Sequence, residues 1–182
     1  SGGIVDDLML SKIIFNQNEY IYAVYNSSRK NVIKEIFEKT IRNYQIIEDR
    51  CLIAIQGPKS FLFLNNILNL SKNTNFLDID LVKFNDSDVI ISRSGYTGED
   101  GFELSILNKD AEKLLTKLLQ NNIILCGLGC RDSLRVEAGL SLYGNEINES
   151  ISPLQAGLSW AIDKDRLLDN SLNCSSFLTK QF

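Results

Sequence analysis

The order of the apolar segments constrains this chain most. Strands and helices are mixed, and a helix does not sit between every pair of strands. That order favours an α+β fold over a doubly wound parallel sheet. Residues 7–15 and 20–25 read as strands, with Gln17-Asn18-Glu19 as the turn between them. Ser27 and Ser28 are placed to cap a helix over 29–42, where Val32, Ile33, Ile36, Phe37 and Ile41 form one stripe. A short apolar strand at 51–56 ends at Gly57-Pro58, and a helix follows over 59–66. The asparagine-rich stretch 65–75 reads as a loop. Strands at 76–84 and 89–93 flank the turn cluster Asn85-Asp86-Ser87-Asp88, and 102–107 reads as another strand. A helix is expected over 110–121, with Leu114, Leu115, Leu118 and Leu119 inward, and a further one from about Cys130. A boundary between two α+β units falls near Asp49.

Composition narrows the chemistry. The chain has 182 residues, 44% hydrophobic and 23% charged, with a formal net charge of -4 and no histidine. An acidic chain of this kind is a poor match for nucleic acid or an anionic membrane surface. No apolar run approaches the roughly 20 residues of a membrane-spanning helix, and no secretory signal opens the sequence. A soluble, intracellular protein is expected. Without histidine, imidazole acid–base chemistry, Ser-His or Cys-His nucleophiles and His-ligated metals are excluded. Cys51, Cys126, Cys130 and Cys174 lack paired C-x-x-C spacing and are expected to be reduced thiols packed as small hydrophobes. Ser1 in place of a methionine and an abrupt end at Phe182 suggest a chain cut from something longer.

Two stretches carry candidate chemistry. In Gly95-Tyr96-Thr97-Gly98-Glu99-Asp100-Gly101-Phe102-Glu103, three glycines three residues apart allow positive φ and a tight loop over a flat ligand. Phe102, Leu104 and Ile106 then share one face of a strand, while Glu103 and Ser105 share the other. A glutamate there accepts two adjacent N–H donors well. The structural alternative is a glycine hairpin with a solvent-facing glutamate. The second stretch, from Gly127 to Leu140, opens a helix with Arg131 in its first turn and Arg135 one turn on. A cation at a helix N-terminus is locally unfavourable unless an anion binds beside it. The alternative pairs both arginines with acids such as Asp132 or Glu137. Asp6 and Asp7, if on a strand, point to opposite faces, so one at most serves a given pocket.

Five ordered stretches together resemble a known family. They are Gly2 to Leu8, Gly95 to Glu103, Arg131 to Gly139, Leu142-Tyr143-Gly144-Asn145-Glu146-Ile147 and Ala156-Gly157-Leu158-Ser159-Trp160. The resemblance is to the T-protein of the glycine cleavage system, the tetrahydrofolate-dependent aminomethyltransferases, and it covers essentially the whole chain. It implies a folate-binding α+β fold with mixed or antiparallel sheets and packed helices. Residues 1–48 are then part of a first unit, 49–125 a second, and 126–182 a helix and returning segment that complete the folate-binding core. An N-terminal segment and a C-terminal barrel usual in the family are not in this sequence.

The resemblance also implies roles. Glu103 would hold the N–H edge of the pterin, with Tyr96 lining its pocket and Asn26 touching it. Arg131 would pair with the folate's glutamate tail. Asp7 would be the catalytic residue, orienting the folate and stabilising iminium-like charge at the transferred carbon. Tyr143 and Trp160 match positions near the pocket without assigned roles. The implied co-substrate is tetrahydrofolate, with no metal, and the implied partner is the lipoylated H-protein, whose aminomethyl group yields 5,10-methylenetetrahydrofolate and ammonia. Neither nucleic acid nor a membrane is an implied partner. A bacterial cytoplasm is preferred over a mitochondrial matrix as the location. The alternatives are a non-catalytic folate-binding module, the folate domain of a flavin-dependent dimethylglycine or sarcosine oxidase, and an inactive fragment.

Overall fold

Asn16 and Gln17 both adopt positive φ, 49° and 65°, and that pair turns the first two strands into a hairpin. Such a two-residue turn matches the natural twist of antiparallel strands. The strands are β1 (Leu8–Phe15) and β2 (Asn18–Tyr25), so the turn falls one residue earlier than the sequence suggests. The computed structural model describes residues 2–71, 74–167, 169 and 174–181. After a 3-10 turn at Ser27–Arg29 comes α1 (Lys30–Thr40), which buries Ile33. The expected serine cap is absent: Asn26 starts the turn, and no side chain bonds the free amides. Tyr25, Phe37 and Tyr44 pack edge to face in series, with centroids 6.4 and 6.0 Å apart.

The next elements are β3 (Arg50–Gln56), α2 (Ser60–Leu68), β4 (Ile79–Phe84), β5 (Ser87–Ser92), β6 (Gly101–Leu107) and α3 (Asn108–Leu119). The four strands form an antiparallel sheet in the order β3-β6-β5-β4. The class is α+β, as the mixed order of elements implied. Phe102, Leu104 and Ile106 project from the central strand β6 into the core that α2 and α3 cover, together with Leu64, Leu68, Leu114 and Leu118. Each such side chain, fully buried, contributes about 1.5–3 kcal/mol relative to exposure. That apolar gain also carries α2 two residues beyond the expected end, into the stretch read as a loop. The helix closes at Asn69 in the left-handed region, φ 50°. Residues 72 and 73 of the expected loop lie outside the described residues.

Strand β4 starts three residues later than expected. Phe76 and Leu77 are 72% and 59% exposed, and Leu77 has φ 69°. Local turn chemistry wins there, because the Asp78 carboxylate accepts from the Asn75 backbone N–H at 2.6 Å and from its side-chain amide at 3.2 Å. At the other end of β4, Asn85 and Asp86 alone make the turn, and Phe84 faces Ser87 across it.

Asp110 lies in the first turn of α3, where an acid is favoured by the helix dipole, and it is buried. Ser87 Oγ donates to its Oδ2 at 2.5 Å. That bond, helped by Lys109 and Lys113 and opposed by burial, holds the Asp110 carboxyl below the ordinary carboxylate value. A lowered pKa contributes stability that is fully present above the ordinary value and is lost as the pH falls through the lowered one. Ser87→Ala is therefore expected to reduce the drop in urea midpoint between about pH 6 and about pH 3. An unchanged drop would show that the Ser87 bond does not set the Asp110 titration.

Beyond α3 come α4 (Leu128–Glu137), α5 (Lys164–Leu167) and α6 (Ser175–Thr179). The chain forms two compact units. One comprises Ser1–Leu10, Ala23–Tyr44 and Ser141–Phe182; the other comprises Ser11–Tyr22 and Gln45–Leu140 and contains the four-stranded sheet. In the first unit, the Ile4 N–H reaches the carbonyls of Asn148 and Ile151, both at 3.0 Å. Arg29 fastens the same segment. Its Nε donates to the Val5 carbonyl at 2.7 Å, Nη2 pairs with Glu149, and the guanidinium lies 4.7 Å from the Tyr143 ring centroid. No helix among the described residues is long and apolar enough to cross a membrane.

Candidate functional site

In the sheet-containing unit, the glycine loop is built around a side chain from a neighbouring strand. Gln56 ends β3, and its Nε2 donates to the Ser94 carbonyl at 3.1 Å while its Oε1 accepts from Thr97 Oγ1 at 3.0 Å. A Cβ at position 95 or 101 would overlap that amide. Of the three glycines, only Gly98 takes positive φ, 74°, and a Cβ there would stand 2.7 Å from the Ala138 methyl. The spacing therefore has two causes. Gly98 serves the backbone turn, whereas Gly95 and Gly101 make room for Gln56. Arg93 and Asp100 close the loop with a two-pronged pair, Nε–Oδ1 and Nη2–Oδ2 each 2.8 Å. The Arg93 guanidinium holds the Asp100 carboxyl below its ordinary value.

Glu103 follows the loop on β6, opposite Ala54 of β3 and Ser92 of β5. Its Oε2 accepts from Ser94 Oγ at 2.8 Å, and Ser94 in turn shares a 2.7 Å hydrogen bond with Ser92. Oε1 accepts no hydrogen bond among the described residues. The glutamate is half-buried rather than solvated. Ser105, on the same face, is buried and bonds Arg50 Nε at 2.9 Å. The sheet face thus presents one carboxylate oxygen, oriented from behind by a serine relay that strand alternation alone does not disclose.

Helix α4 begins at Leu128, two residues before the expected start, which makes Arg131 its fourth residue. The Arg131 guanidinium lies 4.9 Å from the Tyr96 ring centroid, so two of the three expected binding residues of this unit meet. An arginine above an aromatic face keeps its charge available to an anion. Helix geometry leaves the N–H groups of the first turn without partners inside the helix, and no side chain caps them. Arg135 differs. It is buried, with Nε donating to Asp132 Oδ1 at 2.9 Å and Nη1 to the Leu140 carbonyl at 3.1 Å. The structural alternative holds for Arg135, whereas Arg131 faces Tyr96.

In the other unit, Asp6 and Asp7 precede β1 and escape the strand's alternation. Both carboxylates reach the same amide: Asn26 Nδ2 donates to Asp6 Oδ1 at 2.8 Å and to Asp7 Oδ1 at 2.5 Å, and the Asn26 N–H reaches Asp6 Oδ2 at 3.3 Å. The expectation that the two acids diverge is therefore corrected. Asp7 and Asn26 are brought together, and Asp6 joins them. Tyr143 lies under Arg29, while Trp160 is 80% exposed. No cluster of His, Cys, Asp or Glu among the described residues is arranged to hold a metal. The cysteines also divide. Cys51 packs against the sheet core as a small hydrophobe, but Cys126 and Cys130 are exposed.

This arrangement of a glycine loop, a strand glutamate and an arginine helix accompanies a family match. Residues 1–166 match the model of the GCVT N-terminal domain, and the chain belongs to that family. It is 40% identical to the mitochondrial aminomethyltransferase of Saccharomyces cerevisiae over 91% of its length, and 35% identical to that of Flaveria anomala over 99%. It is 41% identical to the aminomethyltransferase of Thermosipho melanesiensis over 89%. The crystal structure of glycine cleavage system aminomethyltransferase T from Bartonella henselae superposes with a TM-score of 0.82 at 32% identity, over 98% of this chain. The chain spans about half the length of these relatives: 44%, 47% and 46% of the three proteins, and 49% of the crystallised chain. The relatives include mitochondrial and bacterial proteins.

Proposed function

We propose that this chain provides the folate grip of a tetrahydrofolate-dependent aminomethyltransferase of the glycine cleavage system. The observation that carries the reading is Glu103. In a member of this family, the loop delivers a carboxylate whose Oε2 is fixed by Ser94 and whose Oε1 is unengaged. That oxygen suits the paired N–H donors of a pterin edge. Tyr96 supplies a ring for a flat heterocycle, and Arg131 supplies a cation for a glutamate tail, assisted by the free amides of α4. When bound, the folate supplies the nitrogens that take up the one-carbon unit. Asp7 and Asp6, gathered on the Asn26 amide, provide a concentrated negative field for positive charge developing at the transferred carbon. The donor is the aminomethyl group on the lipoyl arm of an H-protein, and the products are 5,10-methylenetetrahydrofolate and ammonia.

Titration calorimetry with tetrahydrofolate tests the grip, and no heat of binding at high micromolar protein would sink it. Asp7→Asn is expected to cut ammonia release from aminomethyl-lipoyl H-protein by roughly 100-fold, while changing folate affinity by less than about threefold. Undiminished turnover in that variant would remove Asp7 from its role. A chain that binds folate yet gives no turnover without substitution would instead be a non-catalytic folate-binding module.

A further inference from the structure

Arg29 stands beside the acid pair without touching either carboxylate's amide. Asn26 and Arg29 are the two ends of one 3-10 turn, closed by the Arg29 N–H on the Asn26 carbonyl at 2.9 Å. Both side chains reach back to the same stretch of chain. From one end, the Asn26 amide donates to the carboxylates of Asp6 and Asp7. From the other, Arg29 Nε donates to the Val5 carbonyl at 2.7 Å, one residue before the acids. The guanidinium is itself held by Glu149 and by the Tyr143 ring, whose centroid is 4.7 Å away, and the Arg29 side chain is only 15% exposed. The stretch it grips has little room to move aside. The Ile4 N–H is committed to the carbonyls of Asn148 and Ile151, and a Cβ on Gly3 would stand 1.8 Å from the Glu149 carbonyl oxygen. One amide fixes where two carboxylates meet, but the peptide that carries them can still pivot about it. A second hold, on the Val5 carbonyl, removes that freedom.

We propose that Arg29 is the positioning residue of the acid pair, fixing the peptide before Asp6 and Asp7 so that their carboxylates keep one direction during transfer. The proposal rests on the reading that Asp7 stabilises charge developing at the transferred carbon. Stabilisation of that kind depends on preorganised direction, and a displacement of about 1 Å can cost about 100-fold in rate. A guanidinium suits the task because its rigid fork serves a carbonyl and a carboxylate at once, and it rests well on an aromatic ring. A lysine in its place offers a point charge on a flexible stem, with no fixed fork.

Arg29→Ala and Arg29→Lys, each made alone and together with Asp7→Asn, test this in the whole chain by two readouts. Nuclear magnetic resonance follows the Asn26 side-chain amide, whose exchange with water should quicken by about threefold or more in both Arg29 variants, while the Leu104 N–H of β6 is unchanged. Ammonia release at saturating tetrahydrofolate should fall by about 10- to 100-fold in Arg29→Ala and by at least about threefold in Arg29→Lys, with Kd for tetrahydrofolate changed by less than about threefold. In the Asp7→Asn background the same substitutions should cost less than about twofold, because Arg29 acts through Asp7. A merely structural role would lower both backgrounds alike. Arg29→Lys keeps the charge beside Glu149 and carries the test if Arg29→Ala does not fold. Unchanged Asn26 exchange in Arg29→Lys overturns the proposal. An equal fall in both backgrounds, with Asp7→Asn itself impaired, overturns the part given to Arg29 alone. Undiminished turnover in Asp7→Asn overturns it through the reading on which it rests.

Discussion

Glu103→Ala is expected to weaken tetrahydrofolate binding by about 10- to 100-fold, because hydrogen bonds to a charged group contribute about 1.5–3 kcal/mol each. The loss should come with little change in the urea midpoint. Ser94 would lose one partner but keep Ser92 at 2.7 Å, and Glu103 is not a core residue. Ser94→Ala tests the relay behind the carboxylate and should cost only a few-fold in affinity, since it removes orientation rather than the contact itself. An affinity unchanged in Glu103→Ala, measured by calorimetry, would remove the carboxylate from the site. A parallel collapse of stability would instead reassign it to the sheet.

Gly101→Ala is expected to destabilise the sheet-containing unit by about 1–3 kcal/mol, the usual range when extra volume is forced into a packed site. The reason is Gln56, whose amide occupies the space that a Cβ at 101 would need. Gln56→Ala clears that space, so the double variant should lose less stability than the sum of the two single ones, with a coupling of at least about 1 kcal/mol. Urea unfolding of the four proteins measures it. Strict additivity would show that the overlap is relieved some other way.

How far the sequence could be read depended on how local each cause was. The strands and helices of the sheet were legible because their apolar spacing reflects a single burying surface: Phe102, Leu104 and Ile106 on one side of β6, Leu114 and Leu118 on one side of α3. Boundaries failed where a side chain made an unannounced bond, as Asp78 does in holding Asn75 and ending the strand expected from Phe76. The glycine loop was visible by spacing, but its cause was not, because Gln56 lies 39 positions before Gly95 and looked like an ordinary strand end. The relay from Ser92 through Ser94 to Glu103 could be suspected only once the register of β5 on β6 was known. The gathering of Asp6 and Asp7 on Asn26 escaped prediction for the same reason: strand alternation was applied to residues just outside the strand. A serine pair was expected to cap the helix after Asn26, but the asparagine begins that turn and commits its amide to the two acids.

The division of the chain into units has a consequence for how it comes to be folded. The sheet-containing unit draws almost all of its residues from one continuous stretch, Gln45–Leu140. The other unit joins three stretches, and its bonds from Ile4 to Asn148 and Ile151 span nearly the whole polypeptide. Closing such a span costs chain entropy before any contact repays it, whereas the turn at Asn85-Asp86 closes almost at once. The order of assembly is therefore built into the connectivity. The sheet with Gln56 and its loop closes through shorter spans, whereas the bonds that tie Ile4 and Arg29 to Asn148, Glu149 and Ile151 wait on a span of more than a hundred residues.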